Sequence, residues 1–336
     1  MMRNCWNTLG LGRYLALAPA IGMALGLALG TAPASAQPWP ARPVRLILPS
    51  AGGSGPDTIA RIFAERLSRT LGQPVVVDNR PGANGVIGVD AVAKAPPDGY
   101  TLLFASSSST VISQALQHKL PFDVTRDLVA VAQIFSGGIH LVASPDFPAR
   151  NLKEFVAFVK ANPGKYDYAT WGPGSTGQLV MEYLKRQEGL DIRHVPYKTI
   201  GQIYQDMQGG RVKVAFVDAT SSVPLIKTGK LRGIAITGSH RGPALPDLPT
   251  MTEQGYRFDT DAWYGVFAPR GTPAGVVAAV HREVLNTLSA PELRDRFVQL
   301  NLIDPPLKSA EQFAQTVRTD LSLWQGIAKV NGISLD

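Results

Sequence analysis

The chain has 336 residues, 33 of them basic and 26 acidic, and its formal net charge is +7. The basic residues are scattered instead of clustered, which argues against a nucleic acid partner and favours a weak positive field that attracts small anions. The one cysteine is Cys5, so disulfides, thiolate metal sites and cysteine nucleophiles are excluded after the first segment.

The first 36 residues have the pattern of a secretory signal peptide. Arg3 and Arg13 precede an apolar stretch at residues 14–29, and Ala34-Ser35-Ala36 supplies the small side chains of a cleavage site. We expect cleavage after Ala36 and export to the periplasm. An uncleaved membrane anchor is less favoured, because glycines interrupt the apolar stretch.

The central pattern is an apolar run at Val44–Leu48, a glycine-rich loop at residues 49–57 and then helical spacing of Ile59, Phe63 and Leu67. It predicts a strand, a loop and a helix, which we expect Asp57 to cap. Glycines let a ligand approach the backbone, and a helix start adds unpaired N–H groups, so the expected guest is an anion.

A second unit of the same kind follows. Residues 166–170 predict a strand, residues 172–177 a second glycine loop, and Gln178 opens a helix. Parallel sheets in open α/β folds bind ligands at the carboxyl ends of their strands. The two loops therefore predict two lobes that face each other across a cleft.

The remaining elements complete an α/β fold with two lobes. Strands at residues 75–77 and 100–105 continue the first unit as βαβαβ, and a crossing between lobes is expected at Gly137-Gly138. The return is expected at residues 263–269. Lobe 1 is thus assigned residues 37–138 and 264–336, lobe 2 residues 139–263, and the two crossings form a hinge.

The candidate binding residues are those expected at loops bordering the cleft. For Ser106 to Thr110 two interpretations stay open, hydroxyls lining the cleft or a solvated helix cap. Asp57 is interpreted as a helix cap, a ligand contact or both, and Lys198 is a competing anchor for an anion. The full set is Ser50, Ala51, Gly52, Gly53, Ser54, Asp57, Ser106, Ser107, Gly174, Ser175, Thr176, Gln178, Tyr197, Lys198 and Asp218.

No catalytic or cofactor motif is complete. Ser54 and Ser175 both lack one glycine of the Gly-x-Ser-x-Gly nucleophile elbow. The five histidines, at positions 118, 140, 194, 240 and 281, show no metal-ligand spacing. Gly53-Ser54-Gly55 lacks the third glycine of a dinucleotide fingerprint. We therefore expect no metal, no cofactor and no enzymatic activity.

Several motifs, in this order and spacing, resemble the Bug or TctC-like receptors, the extracytoplasmic solute-binding subunits of tripartite tricarboxylate transporters. The similarity runs from Pro43 to about Ile333. Its most specific parts are residues 49–61, 72–83, 97–103, 161–165, 195–198, 229–232 and 243–250.

The resemblance implies a two-lobed periplasmic binding fold, type II-like, that closes on a small organic carboxylate. In the family, backbone amides and ordered waters from the two facing loops hold one carboxylate, and membrane permease subunits receive the ligand. The chain departs from the family pattern at Ser50, Gln178, Thr199 and Ala219, which bears on the identity of the ligand.

Three functions are thus weighed. The first is a monomeric receptor that delivers a carboxylate to a permease. The second is a receptor that presents its ligand to a membrane sensor kinase. The third is a secreted hydrolase that uses Ser54 or Ser175, for which the sequence places no base.

Overall fold

The computed structural model describes residues 39–117, 119–258, 260–303 and 307–335. The expected signal peptide and its cleavage site lie outside the described residues, as does His118. Among the described residues, no helix combines the length and the hydropathy needed to cross a membrane. The description below concerns the compact unit that begins at Trp39.

The first sheet has five strands in the order β2-β1-β3-β10-β4. Strand β1 pairs in parallel with β2 and β3, as the βαβαβ pattern predicts, whereas β10 is antiparallel to β3 and β4. The continuous apolar sequence of β1 and β3 is explained by burial on both faces of the sheet. The strands are β1 Val44–Leu48, β2 Val75–Asn79, β3 Thr101–Ser106, β4 Leu128–Gly137 and β10 Ala262–Pro269.

The second sheet repeats this arrangement in the order β7-β6-β8-β5-β9. Strand β6 is parallel to β7 and β8, and β5 is antiparallel to β8 and β9. In each sheet the strand that leads into a glycine loop lies between its two parallel neighbours. The strands are β5 Ile139–Ala143, β6 Asp167–Thr170, β7 Arg193–Pro196, β8 Val214–Asp218 and β9 Arg232–Ile236.

The chain passes from the first sheet to the second at Gly138, between β4 and β5, and returns between β9 and β10. A side chain at Gly138 would meet the Thr237 carbonyl oxygen at 2.0 Å, so the crossing requires glycine. Strand β10 begins at Ala262, so Trp263 lies in the first sheet although the sequence boundary assigned it to lobe 2.

Helices cover the sheets. The helix α11 packs against β4 and also against α6, which follows the second glycine loop. One apolar cluster includes side chains from both sheets, such as Leu103 and Leu141, and each sheet also has a cluster of its own. The helices are α1 Gly55–Leu71, α2 Val86–Ala93, α3 Ser113–Leu116, α4 Val124–Asp127, α5 Leu152–Ala161, α6 Thr176–Glu188, α7 Ile200–Gln208, α8 Ala219–Lys227, α9 Ala274–Leu288, α10 Pro291–Gln299 and α11 Ala310–Asn331.

Candidate ligand-binding site

Both glycine loops start their helices with the same serine cap. Ser54 caps α1 and Ser175 caps α6, and each Oγ accepts the N–H of the residue three positions later, Asp57 or Gln178, at 3.4 Å. The expectation that Asp57 caps α1 was therefore wrong. The serine sits one position before the first helical residue, where a short side-chain oxygen reaches the exposed amides.

The side chains of Asp57 and Gln178 fold back onto their own loops. Asp57 Oδ2 accepts the Gly53 N–H at 2.8 Å, and Gln178 Oε1 accepts the Gly174 N–H at 2.7 Å. These two glycine amides are thus engaged within the loops. Gln178, a departure from the family pattern, therefore accepts a glycine N–H of the second loop in the same way as Asp57 does in the first.

Among the described hydrogen bonds, the amides at the helix starts that donate to no acceptor are those of Gly55 on α1 and of Thr176 and Gly177 on α6. The first N–H groups of a helix have no acceptor within it and carry the positive end of the helix dipole. An anion that meets these loops is therefore best placed at the helix starts and not at Gly53 or Gly174.

Asp57 is a fixed part of the first loop. Its Oδ1 accepts from Asn79 Nδ2 at 2.9 Å, and its Oδ2 also accepts from Arg61 Nε at 3.0 Å. Burial opposes ionisation, but the hydrogen bonds from Arg61, Gly53 and Asn79 outweigh it and hold the pKa of Asp57 below its usual value. Both carboxylate oxygens accept hydrogen bonds from the loop and its neighbours, so Asp57 orders the loop.

Asn79 also fastens the start of the first loop. Its Nδ2 donates to the Ser50 carbonyl oxygen at 3.1 Å, and the Ala51 carbonyl oxygen accepts the Ser54 hydroxyl at 2.7 Å. Gly52 and Gly53 are exposed, and Gly53 has a φ of 77°. The loop is thus held at Ser50 and Ser54 and exposed between them.

Each glycine loop, or the helix that it starts, touches the opposite lobe. Asn84, in the first lobe, donates through Nδ2 to the Gly174 carbonyl oxygen at 3.0 Å. Gly55 lies so close to Asp218 that a Cβ on Gly55 would be 2.4 Å from Asp218 Oδ1. A Cβ on Gly174 would likewise meet Leu335 at 2.3 Å. The start of α1 and two candidates of the second lobe, Gly174 and Asp218, therefore lie at the contact between the lobes.

Asp218 ends β8 and caps α8, as a strand-end aspartate can. Its Oδ1 accepts the Ser221 N–H at 2.8 Å and its Oδ2 accepts the Ser221 hydroxyl at 2.6 Å. Burial raises the pKa of Asp218 despite these donors. Its negative charge in turn helps to raise the pKa of the Tyr204 and Tyr264 hydroxyls, for which burial is the larger cause.

The serine run after β3 is buried and opens a short π-helix at Ser108–Ile112, so the interpretation as a solvated cap was wrong. Ser107 is 1% exposed and its N–H donates to the Trp263 carbonyl oxygen at 2.9 Å. Ser106, partly buried, receives the Ser109 N–H at 3.2 Å and lies opposite Tyr264 in the sheet. Of the two predicted residues, Ser106 thus adjoins Tyr264 and the cleft, and Ser107 joins strands.

Tyr197 and Lys198 follow β7. The Tyr197 hydroxyl donates to Asp206 Oδ2 at 2.8 Å, and burial together with this bond raises the pKa of Tyr197 to about 12. Lys198 is exposed. Thr199, another departure from the family pattern, caps α7 through the Gln202 N–H. None of these side chains has a contact with the first lobe among the described hydrogen bonds.

The serine that a hydrolase would need is not accessible. Ser175 is 0% exposed and its hydroxyl donates to Thr170 Oγ1 at 3.0 Å. His194 Nε2 reaches the same Thr170 oxygen at 2.8 Å, so threonine separates the serine from the histidine. Burial lowers the pKa of His194 to about 4. Ser54 donates to a carbonyl, and no group of metal-ligating residues is found among the described residues.

A further network near the crossing was not anticipated from the sequence. His140 is 0% exposed; its Nδ1 lies 2.8 Å from Ser222 Oγ and its Nε2 lies 3.1 Å from Asn301 Nδ2. Asn301 Oδ1 accepts the Ala244 N–H, which orients its amide and makes Nε2 the acceptor. The network could not be recognised from the sequence, because Asn301 is far along the chain from both His140 and Ser222.

The chain is similar to known proteins in sequence and in fold. The chain is 34% identical to protein BugT of Bordetella pertussis over 95% of this chain and 98% of that protein. The periplasmic binding protein BugD superposes with a TM-score of 0.82 at 32% identity, covering 88% of this chain and 99% of that one. R. palustris Rpa4515 with adipate gives a TM-score of 0.82 at 31% identity, covering 88% and 99%.

These relatives are solute-binding proteins, and their structures confirm the expected two-lobed α/β fold of periplasmic binding proteins. The tripartite tricarboxylate transporter family receptor, TctC, matches residues 59–333, which is most of the chain. The resemblance found in the loop motifs is confirmed, and the chain belongs to the TctC family of receptors.

Proposed function

We propose that this protein is a periplasmic receptor that closes on a small organic carboxylate and delivers it to the membrane subunits of a tripartite transporter. The observation that carries the proposal is that each serine-capped helix start, or the glycine loop before it, touches the opposite lobe: Gly55 lies against Asp218, and the Gly174 carbonyl oxygen accepts from Asn84. Helix starts bind anions through unpaired amides. The adipate-bound relative supports a carboxylate as the guest.

The anchor is made by the amides of Gly55, Thr176 and Gly177. The serine hydroxyls and the Gly53 and Gly174 amides are engaged within the loops, so they shape the anchor and do not contact the ligand directly. Lys198 is exposed and serves, at most, to attract anions to the protein.

Titration calorimetry against dicarboxylates, tricarboxylates, aromatic acids and acidic amino acids tests this function. One ligand should bind stoichiometrically without being converted. Lys198→Ala should change the dissociation constant less than about twofold, because an exposed charge contributes little. Loss of binding in Lys198→Ala would show instead that the anion is held by an ion pair, and conversion of a ligand would show an enzyme.

Export and delivery are tested separately. Mass spectrometry of the protein from a periplasmic extract should give a chain that begins at Gln37. Uptake of the labelled ligand into cells should require both this protein and the membrane subunits. The finding that uptake continues without the membrane subunits would contradict delivery to a permease, and a mature chain with an intact leader would contradict cleavage after Ala36.

A further inference from the structure

The carboxylate of Asp218 lies between two helix starts and is partly exposed. It caps α8, and its Oδ1 lies against Gly55, the first residue of α1 in the opposite lobe. Asp218 therefore lies beside Gly55, whose amide belongs to the proposed anchor. A ligand whose carboxylate is held by the proposed anchor therefore lies close to the carboxylate of Asp218.

This carboxylate keeps room for another donor. Ser221 supplies the two short hydrogen bonds, one from its N–H and one from its hydroxyl. An ionised carboxylate can accept about four hydrogen bonds. The two bonds from Ser221 leave acceptor capacity on the carboxylate, which the Thr220 N–H also helps to stabilise.

No cation neutralises Asp218. The salt bridges between described residues do not include it, in contrast to Asp57, which pairs with Arg61. The polar neighbours are uncharged hydroxyls: Tyr204, bonded to Ser221 Oγ at 2.7 Å, and Tyr264 beside Ser106. Burial raises the pKa of Asp218, and a hydrogen-bond donor or a cation from the ligand would stabilise its ionised form.

On the basis of the proposed function, we propose that Asp218 is a specificity residue that selects a carboxylate bearing a hydrogen-bond donor, an ammonium or a hydroxyl group. The anchor amides hold the ligand carboxylate, and Asp218 accepts from the donor beside it. A plain dicarboxylate of the same length is disfavoured, because it presents an apolar methylene to Asp218 at the place where the other ligand presents a donor.

Matched ligand series test this inference by calorimetry. Aspartate, malate and succinate share one carbon chain and differ in an ammonium, a hydroxyl or neither; 2-aminoadipate and adipate form a longer pair. The wild-type protein should bind the donor-bearing member at least about tenfold more tightly than the plain member in one of the two series. Aspartate against malate then distinguishes the ammonium from the hydroxyl.

Asp218→Asn is the informative variant, because asparagine caps a helix as well as aspartate and has a similar size. It should lose most of the preference and bind the plain dicarboxylate more tightly than the wild-type protein does. Asp218→Ser, which also keeps a capping oxygen, should lose the preference too. The control Asp167→Asn breaks an exposed ion pair with Arg193 and should keep the wild-type preference.

The possible results are distinct. Plain dicarboxylates that bind as tightly as their donor-bearing partners would overturn the role of Asp218 and leave the receptor function intact. A preference that survives in Asp218→Asn would also overturn it. Binding of no carboxylate at all would contradict both the inference and the proposed function.

Discussion

Gly55 and Asp218 touch across the cleft, with no space between them for a methyl group. A Cβ on Gly55 would lie 2.4 Å from Asp218 Oδ1. We expect Gly55→Ala to prevent full closure and to weaken ligand binding at least about tenfold. The free energy of unfolding should fall little, because alanine is well tolerated in a helix. Calorimetry and urea unfolding measure the two effects.

The matched control is Gly275→Ala. Gly275 lies in the first turn of α9, and a Cβ there meets no atom within 4 Å. This variant should bind ligand like the wild-type protein. If Gly55→Ala also binds with unchanged affinity, the closed contact between the lobes is not part of the bound state.

Asp57 should make the stability of the protein sensitive to acid. Its pKa is lowered in the folded chain, so its contribution is complete above the unfolded value of about 4 and is lost as the pH falls through the folded value. At pH 7, Asp57→Asn should lower the free energy of unfolding by about 1–2 kcal/mol. The difference from the wild-type protein should shrink towards pH 2.

Urea unfolding at a series of pH values measures this difference. Asp167→Asn, which removes an exposed pair with Arg193, should cost less than about 1 kcal/mol at pH 7. An Asp57→Asn deficit that stays constant down to pH 2 would mean that the carboxylate charge is not what holds the loop.

The local construction of both loops could be predicted from the sequence, because strands, glycine turns and caps depend on neighbouring residues. The helix caps could also be predicted from the sequence. Ser54 to Asp57 and Ser175 to Gln178 both have a serine followed three residues later by an acid or amide, the pattern of a helix start. In both loops the serine that begins this spacing is the cap.

Features that depend on distant residues could not be predicted. The helix α8 contains Pro224 and a Thr-Ser-Ser run, so its sequence favours a loop, and the Asp218 cap and packing on the sheet override that preference. The contact of Gly55 with Asp218 joins residues from different lobes. Its existence depends on how the lobes close, which no local pattern encodes.

Asn84 provides the direct hydrogen bond to the second glycine loop, from its Nδ2 to the Gly174 carbonyl oxygen. Asn84 has a φ of 52°, which glycine adopts without strain, so Asn84→Gly removes the bond and keeps the backbone. We expect the dissociation constant to rise about two- to tenfold, as for one hydrogen bond worth about 0.5–1.5 kcal/mol.

Asn84→Asp is the companion variant. It places an acceptor opposite the Gly174 carbonyl oxygen and should weaken binding more than Asn84→Gly does. Small-angle scattering without ligand should show both variants to be more extended than the wild-type protein. Equal affinities in all three proteins would show that this bond does not contribute to closure.

His140 gives the last prediction, a loss of stability in mild acid. Burial lowers the pKa of His140 to about 3, so the folded protein keeps it neutral while the unfolded chain binds a proton below about pH 6.5. The unfolded state therefore holds more protons between these values, and the stability falls as the pH falls from 6.5 towards 3. Each such histidine adds a slope of at most about 1.4 kcal/mol per pH unit.

His140→Gln removes the titrating group, whereas His194, lowered to a pKa of about 4, remains in both proteins and cancels in the comparison. The variant loses hydrogen bonds with Ser222 and Asn301, so its stability is lower at pH 8. Its stability should nevertheless fall less steeply than that of the wild-type protein between pH 6.5 and 4, with parallel curves above pH 7. Urea unfolding at half-unit pH steps measures both slopes. Equal slopes below pH 6.5 would mean that His140 gains its proton in the folded protein, so the network with Asn301 would not hold it neutral.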